Sequence, residues 1–345
     1  MSALPSTASA PSADRPGHRL PAEYERHAAT WMMWPTRREL WGGEFEAVKD
    51  DYARLAATIA RFEPLRMVAC AADAADARRR CGGTVEVLEM PIDDSWARDA
   101  GPVFVRDADG GLAASAWRFT AWGGKYAPYA ADAAFAARVA AAVGVPVIAS
   151  PLALEGGAIL SDGEGTVLTT ETCLLNPNRN PGLGKAEVEA ELGRVFGAKV
   201  VIWLPGDPTE TETDGHIDGI AALAGPARAL IEVTDDASDE RYGILRENRR
   251  ALELARDAKG RAFTLIDIEE VPRAAAKGER YCRSYVNFYI ANGAVIAPAY
   301  GLDADERVAA TLRAAYPDRT VVMLPIGAIA AGGGGFHCIT QQQPA

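Results

Sequence analysis

The chain has 345 residues, 48% of them hydrophobic, and a formal net charge of -11, enough for one large α/β domain or two ordinary ones. The acidic balance argues against a nucleic-acid partner, and suits either the steering of a small cationic substrate or plain solubility. No stretch approaches the ~18 apolar residues of a membrane span, and five cysteines without a CxxC pair beside four histidines suggest neither a disulfide framework nor a zinc cluster.

Residues 1–18, rich in Ala, Ser and Pro, lack the charged start and apolar run of a secretory signal. They read as a disordered tail ahead of a single domain at 19–343, and the expected location is the cytoplasm. Residues 19–35 close in an apolar, aromatic run, the first buried strand, with His27 a surface or loop histidine. Val48, Tyr52, Leu55, Ala56 and Ile59 recur at helical spacing, so 44–62 is an amphipathic helix. Strands follow at 65–70 and 85–90.

From there one unit recurs: a polar landmark, a hairpin, a helix, a strand. The first landmark ends in Asp99, with hairpin strands at 102–106 and 112–119 about Asp109-Gly110-Gly111, a helix at 132–143 and a strand at 146–149. Glu155-Gly156-Gly157 opens the second, whose hairpin turns at 162–165 before a helix at 186–196 and a strand at 200–204. The third carries His216 and Asp218, a hairpin through 220–233, a helix at 239–258 and a strand at 262–268. Asn287 marks the fourth, with a hairpin turning at Asn292-Gly293, a helix at 304–315 and a strand at 320–324. Four glycines, Gly332 to Gly335, then lead to Cys338, which opens a further unit. Such a glycine run brings no packing of its own and lets main chain approach a neighbour closely.

Landmarks at 99, 155, 216, 287 and 338 are spaced by 56, 61, 71 and 51 residues. That suits an α/β fold of five ββαβ units set radially, a pseudo-fivefold propeller around a central site. The alternative is a sandwich or doubly wound sheet in which the same residues cap unrelated turns.

Gathered together, the landmarks supply one thiol (Cys338), one histidine (His216) and three carboxylates (Asp99, Glu155, Asp218), with no second histidine or cysteine placed to complete a metal site. No metal or organic cofactor is implied. Papain-like hydrolysis would leave two carboxylates over, raising one another's pKa. A bound guanidinium resolves that excess, since its planar N–H fork matches two carboxylates at once. Cys338 would attack the guanidinium carbon held by Asp99 and Asp218, His216 would protonate departing ammonia and then activate water, and Glu155 would orient the imidazole. Each residue also has a plainer reading. Asp99 could pair with its neighbour Arg98, Glu155 and Asp218 could be turn residues before glycine, and His216 a hydrogen-bonded loop histidine.

Several stretches carry a family resemblance: Trp-Met-Met-Trp-Pro at 31–35, Asp-Ser-Trp-Ala-Arg-Asp-Ala-Gly-Pro at 94–102, Trp-Gly-Gly-Lys-Tyr at 122–126, Leu-Glu-Gly-Gly at 154–157, residues 173–181, Gly-His-Ile-Asp at 215–218, residues 284–291, and the closing Gly-Gly-Gly-Phe-His-Cys-Ile-Thr-Gln-Gln. Through them, over residues 19–343, the chain resembles the agmatine deiminases, related to bacterial-type peptidylarginine deiminases within the guanidino-group modifying superfamily. The resemblance implies the five-unit propeller, hydrolysis of agmatine to N-carbamoylputrescine and ammonia within arginine and polyamine metabolism, and the roles just given for Cys338, His216, Glu155, Asp99 and Asp218. It further implies that Trp96 and Glu212 line the channel for the rest of agmatine, and it carries an expectation of homo-oligomers. A carboxylate at Glu212 suits a distal ammonium, whereas the α-carboxylate of arginine would be repelled. Ala158, Asp214 and Gly219 depart from the family pattern beside the catalytic groups, so free-arginine and peptidyl-arginine deimination, and amidino transfer, stand as alternatives. Cys173 reads as a structural thiol, and Cys70, Cys81 and Cys282 carry no functional signal.

Overall fold

The computed structural model describes residues 17–345; all but the last two residues of the expected tail lie outside the described residues. Strand β1 (His27–Met33) is buried on both faces apart from Ala28, which its run of small and large apolar side chains allows. Parallel to it run β2 (Leu65–Ala69) and β3 (Glu86–Glu89). Between β1 and β2 the chain crosses over in helix α1 (Phe45–Ile59), whose Val48, Tyr52, Leu55, Ala56 and Ile59 are fully buried, as the helical spacing requires.

Four units then follow in the same form. The first pairs β4 (Val103–Arg106) with β5 (Leu112–Ala116) as a hairpin, and β6 (Val147–Ala149) lies parallel to β5 after a helical crossover. The second consists of β7 (Leu160–Ser161), β8 (Thr166–Thr170) and β9 (Val200–Leu204). The third has β10 (Ala221–Gly225), β11 (Arg228–Val233) and β12 (Thr264–Glu269). In the fourth, β13 (Tyr289–Ala291) and β14 (Ala294–Ala299) meet β15 (Thr320–Pro325). Each is a separate three-stranded sheet. The two ends of the chain make the remaining sheet, because β16 (Gln341–Pro344) lies antiparallel to β1, with Gln341 opposite Trp31. Cys338 therefore does open a further unit, one completed by the N-terminal strands.

Every expected landmark sits immediately before the first strand of its unit. Asp99 belongs to a single turn ahead of β4, Glu155 precedes a 3-10 turn ahead of β7, His216 caps the 3-10 turn Ile217–Gly219 ahead of β10, and Asn287 and Cys338 stand just before β13 and β16.

Some expectations need correction. His27 is buried at 4% exposure within β1, bonded to Glu63 at 3.1 Å, and is neither a surface nor a loop residue. Its burial follows from the sheet beside it, which a single-strand reading does not contain. The apolar run that closes residues 19–35 is β1, as expected, and residues 19–26 ahead of it are held by a bridge from Arg19 to Arg106 and by polar contacts. The helix expected at 132–143 starts afresh at Phe135 after a separate turn Ala130–Ala133, and that expected at 239–258 is Tyr242–Leu254. Among the described residues no helix is long and apolar enough to cross a membrane.

Candidate active site

Three of the four glycines ahead of the thiol let main chain approach neighbours closely, and the fourth, Gly333, takes a left-handed φ of +99°. A β-carbon would stand 2.1 Å from Trp41 at Gly332, 2.3 Å from Trp96 at Gly334, and 2.3 Å from the Asn287 amide at Gly335. With no side chains to intervene, the loop lies flat on two indoles and delivers Cys338, 8% exposed, to a cavity floor. Asn287 holds the segment there. Its Oδ1 accepts from the amides of His337 at 3.0 Å and Cys338 at 3.3 Å, and its Nδ2 donates to the Cys338 sulfur and to the Asp218 carbonyl, each at 3.2 Å. Burial pushes the Cys338 thiol well up, and the charges of Asp218 and Asp99 add to the shift. The resting group is a thiol.

Gly157 marks the middle of the site. A β-carbon there would meet His216 Nδ1 at 2.6 Å and Asp218 Oδ2 and Asp99 Oδ1 at 2.9 Å each. One imidazole nitrogen and two carboxylate oxygens, from the turns before β4 and β10, thus surround a single point on the turn before β7, while Asp218 Oδ2 is also 3.7 Å from the Cys338 sulfur. The Gly157 amide donates to Asp99 Oδ1 at 3.1 Å and the Trp122 indole to Asp99 Oδ2 at 2.8 Å. Trp122 is delivered by a run of left-handed residues, itself at φ +55°, a strained conformation held by the indole's packing against Trp96, Phe119 and Tyr126. Arg98 turns away and bonds Glu23 at 2.9 Å, so Asp99 is not simply paired with its chain neighbour.

On its other side the His216 ring faces Glu155, Nε2 to Oε2 at 3.4 Å, and its Nδ1 makes no hydrogen bond among the described residues. Burial works against the imidazolium, but the charge of Asp99, the adjoining Cys173 and the bond to Glu155 together raise His216 well above the usual histidine range. Glu155, completely buried, is held below the usual carboxylate range; the His216 hydrogen bond and the Arg179 charge outweigh its burial. Arg179 donates to Glu155 at 2.8 Å and is anchored by Asp214 at 2.5 Å. Glu155 is therefore no mere turn residue, and the departure at Asp214 anchors the arginine that balances it. For Asp99, burial, only partly offset by the His216 charge, pushes the carboxyl up, with Asp218 and Glu155 acting in the same sense.

One expectation about this centre is overturned. A second cysteine stands beside the imidazole, since ligand atoms of Cys173, Glu155 and His216 lie within 4.8 Å of one another. Arg179 already supplies the positive charge on Glu155 that a cation would otherwise provide. The other histidine of the centre, His337, has Nδ1 2.8 Å from Asp218 Oδ2 and belongs to no such cluster among the described residues. Cys173 is fully buried and burial pushes its thiol up, in keeping with a structural thiol, though one touching the site. Cys282 lines the cavity, which no local pattern indicated, and burial pushes its thiol up to about 12.

Two spaces meet at Cys338. One is an aromatic slot lined by Leu40, Trp96, Asp99, Trp122, Tyr126 and Glu212. The other is a cavity of about 180 Å³ that reaches His216, Asp218, Arg280 and Cys282. Glu212 borders both, its carboxylate accepting from the Tyr126 hydroxyl and its carbonyl from Lys125 at 3.0 Å. Trp96 and Glu212 thus both border the slot that reaches the thiol.

Fold and site define the class, an α/β enzyme in which separate ββαβ units bring a buried thiol, an imidazole and paired carboxylates to one point. The family model described as Porphyromonas-type peptidyl-arginine deiminase matches residues 19–344, and the chain belongs to that family. It is 40% identical over 361 residues to the agmatine deiminase of Pseudomonas aeruginosa (strain LESB58), covering 98% of each chain. Among solved structures, the agmatine deiminase of Enterococcus faecalis superposes with a TM-score of 0.92 at 32% identity, over 95% of this chain and 96% of that one. A substrate-bound agmatine deiminase of C. jejuni gives 0.87 at 25% identity, over 98% and 99%.

Proposed function

We propose that this chain is an agmatine deiminase, converting agmatine and water to N-carbamoylputrescine and ammonia, with residues 19–343 as one catalytic propeller of five radial units. The observation that carries the chemistry is the meeting of Asp99, Asp218 and His216 Nδ1 around Gly157, next to the Cys338 sulfur. Two buried carboxylates there call for a planar cation with several N–H donors. A guanidinium meets that need, and its charge offsets the two carboxylates that, together with burial, hold the thiol up.

Cys338 then loses its proton to solvent and its sulfur attacks the guanidinium carbon. The new C–S bond gives a tetrahedral centre, which expels one nitrogen as ammonia with a proton from the His216 imidazolium. Neutral His216 next takes a proton from water as the water oxygen attacks the amidino-thioether carbon. Collapse breaks the C–S bond, the hydroxyl proton passes to the departing sulfur, and a urea leaves. Glu155 and Arg179 hold the imidazole oriented throughout. Trp96 packs along the aliphatic chain of agmatine, and Glu212 receives its ammonium in exchange for the Tyr126 hydroxyl. The substrate-bound relative and the relatives named for agmatine support this choice of substrate. We assign the enzyme to the cytoplasm, to arginine and polyamine metabolism on the route to putrescine, and to a homo-oligomeric state.

One observation favours a second reading. Arg280 donates to the Tyr126 hydroxyl at 3.2 Å, close to the Glu212 end of the slot, where it could take the carboxylate of free arginine. Formation of ureido product from agmatine, arginine and an N-acyl arginine ester, each assayed with the parent protein and Cys338→Ser, decides between them. Turnover of agmatine alone, lost in Cys338→Ser, is expected. Turnover of arginine or its ester in its place would refute the choice of agmatine, and an amidino-amine product would establish amidino transfer.

A further inference from the structure

Glu23 comes from the N-terminal segment ahead of β1, 314 residues from His337 in the chain, yet both of its carboxylate oxygens lie on His337 Nε2, at 2.8 and 2.9 Å. The opposite ring nitrogen lies 2.8 Å from Asp218 Oδ2, the oxygen that is also nearest the Cys338 sulfur. His337 is 4% exposed. A neutral imidazole has one N–H and could donate to only one of these carboxylates; donation to both requires the imidazolium.

We propose that His337 is a positioning residue, a cation clamped between Glu23 and Asp218 that keeps Asp218 charged and aimed at the guanidinium. The inference rests on the guanidine-deiminating reading. Around the ring stand Glu23 from the N-terminal segment, Asp218 from the turn before β10 and Arg98 from the turn before β4, with His27 beyond Glu23 and His216 and Asp99 beyond Asp218. Their balance favours the clamp. Burial and the Arg98 charge oppose the imidazolium, but Glu23 and Asp218 prevail and raise His337. Asp218 is lowered in turn, the His337 hydrogen bond outweighing its burial. Glu23, against its own burial, is brought down to about 2 by His337 and Arg98. The N-terminal segment thereby acts on the substrate carboxylate without touching substrate.

The test uses His337→Gln, which cannot reach Asp218 as the ring does, His337→Asn, whose amide nitrogen can replace Nδ1, and Glu23→Gln. With agmatine, His337→Gln is expected to raise KM about tenfold or more, the loss of one charge-assisted hydrogen bond, with a smaller change in kcat. The acid limb of its kcat/KM profile should move to higher pH, because Asp218 freed of the imidazolium takes up a proton more readily. His337→Asn should recover part of the KM, and Glu23→Gln should shift the limb in the same direction by less. Unchanged KM and acid limb in both His337→Gln and Glu23→Gln would overturn the proposal. Histidine ¹⁵N spectra of the parent protein decide the matter independently of substrate. His337 should remain doubly protonated well above the ordinary histidine range and lose that state in Glu23→Gln; titration in the ordinary range refutes the clamp. If agmatine is not turned over, the functional reading falls and the ¹⁵N result alone judges the clamp.

Discussion

Replacing Gly157 with alanine places one methyl group at the meeting point of the site. The backbone there is not left-handed, so the substitution carries no φ penalty, and its whole effect comes from contact. Ordinary contact begins at 3.4 Å, and the new carbon would stand 2.6 Å from His216 Nδ1 and 2.9 Å from Asp218 Oδ2 and Asp99 Oδ1. The imidazole must therefore retreat by about 0.8 Å and each carboxylate by about 0.5 Å. All three are pinned from behind, His216 by Glu155, Asp99 by Trp122 and Asp218 by His337. Displacements of this size cost on the order of 100-fold in rate when they fall on reacting groups, while overpacking of a buried site costs about 1–3 kcal/mol. Steady-state ureido-product assays beside thermal unfolding separate the two. The expected variant is folded, with a modestly lowered Tm and kcat/KM reduced about 100-fold. A Gly157→Ala protein with parental kcat/KM would refute the convergence of these side chains around one point.

Further outcomes follow from the same geometry. The Cys338 thiol, held up by burial and two carboxylates, should react slowly with iodoacetamide near neutrality and faster as pH rises past 9, measured as inactivation rate against pH; a plateau already reached below pH 8 would contradict this. Glu212→Gln should raise KM for agmatine about tenfold, through loss of a charge-assisted contact to the ammonium, with kcat less affected; equal KM values would remove Glu212 from substrate binding. Arg179→Met leaves Glu155 buried beside only His216, and unfolding by denaturant should show a loss of about 3–5 kcal/mol. An unchanged midpoint would mean that the pair contributes nothing. Glu23, lowered to about 2, stabilises the fold above its unfolded value near 4.5 and ceases to as pH falls toward 2, so Glu23→Gln should flatten stability against pH across that window.

The strands and helices were largely legible because their periods are local. Helix Ala304–Ala315 and strand Val200–Leu204 fall where apolar spacing and flanking turns put them, and Asn292-Gly293 does close a two-residue hairpin. The candidate site residues were legible too, since Glu155, His216 and Asp218 each sit beside glycine, and Asp99 and Cys338 within three residues of one, in turns that break an apolar pattern. Cys173 and Arg179 lay within a recognised motif, yet the contact of Cys173 with His216 crosses to the next unit, and that of Arg179 with Glu155 joins opposite ends of its own unit's hairpin segment. His337 stood next to the thiol with no mark to separate it from a packing residue, and Glu23 carried no signal at all. Ion pairs between residues hundreds of positions apart leave no periodic trace in a single chain.

What the sequence determined by itself was the repeated ββαβ unit, the glycine run that only close main-chain contact would use, and an inventory of one nucleophile with an excess of carboxylates. Those follow from the stereochemistry of neighbouring residues. Only the tertiary structure decided which charges balance which: Glu155 with Arg179, Asp218 with His337, and His337 with Glu23. A buried charge takes its state from whatever lies within a few ångströms, and here those neighbours come from a distant part of the same unit, from another unit or from the N-terminal segment.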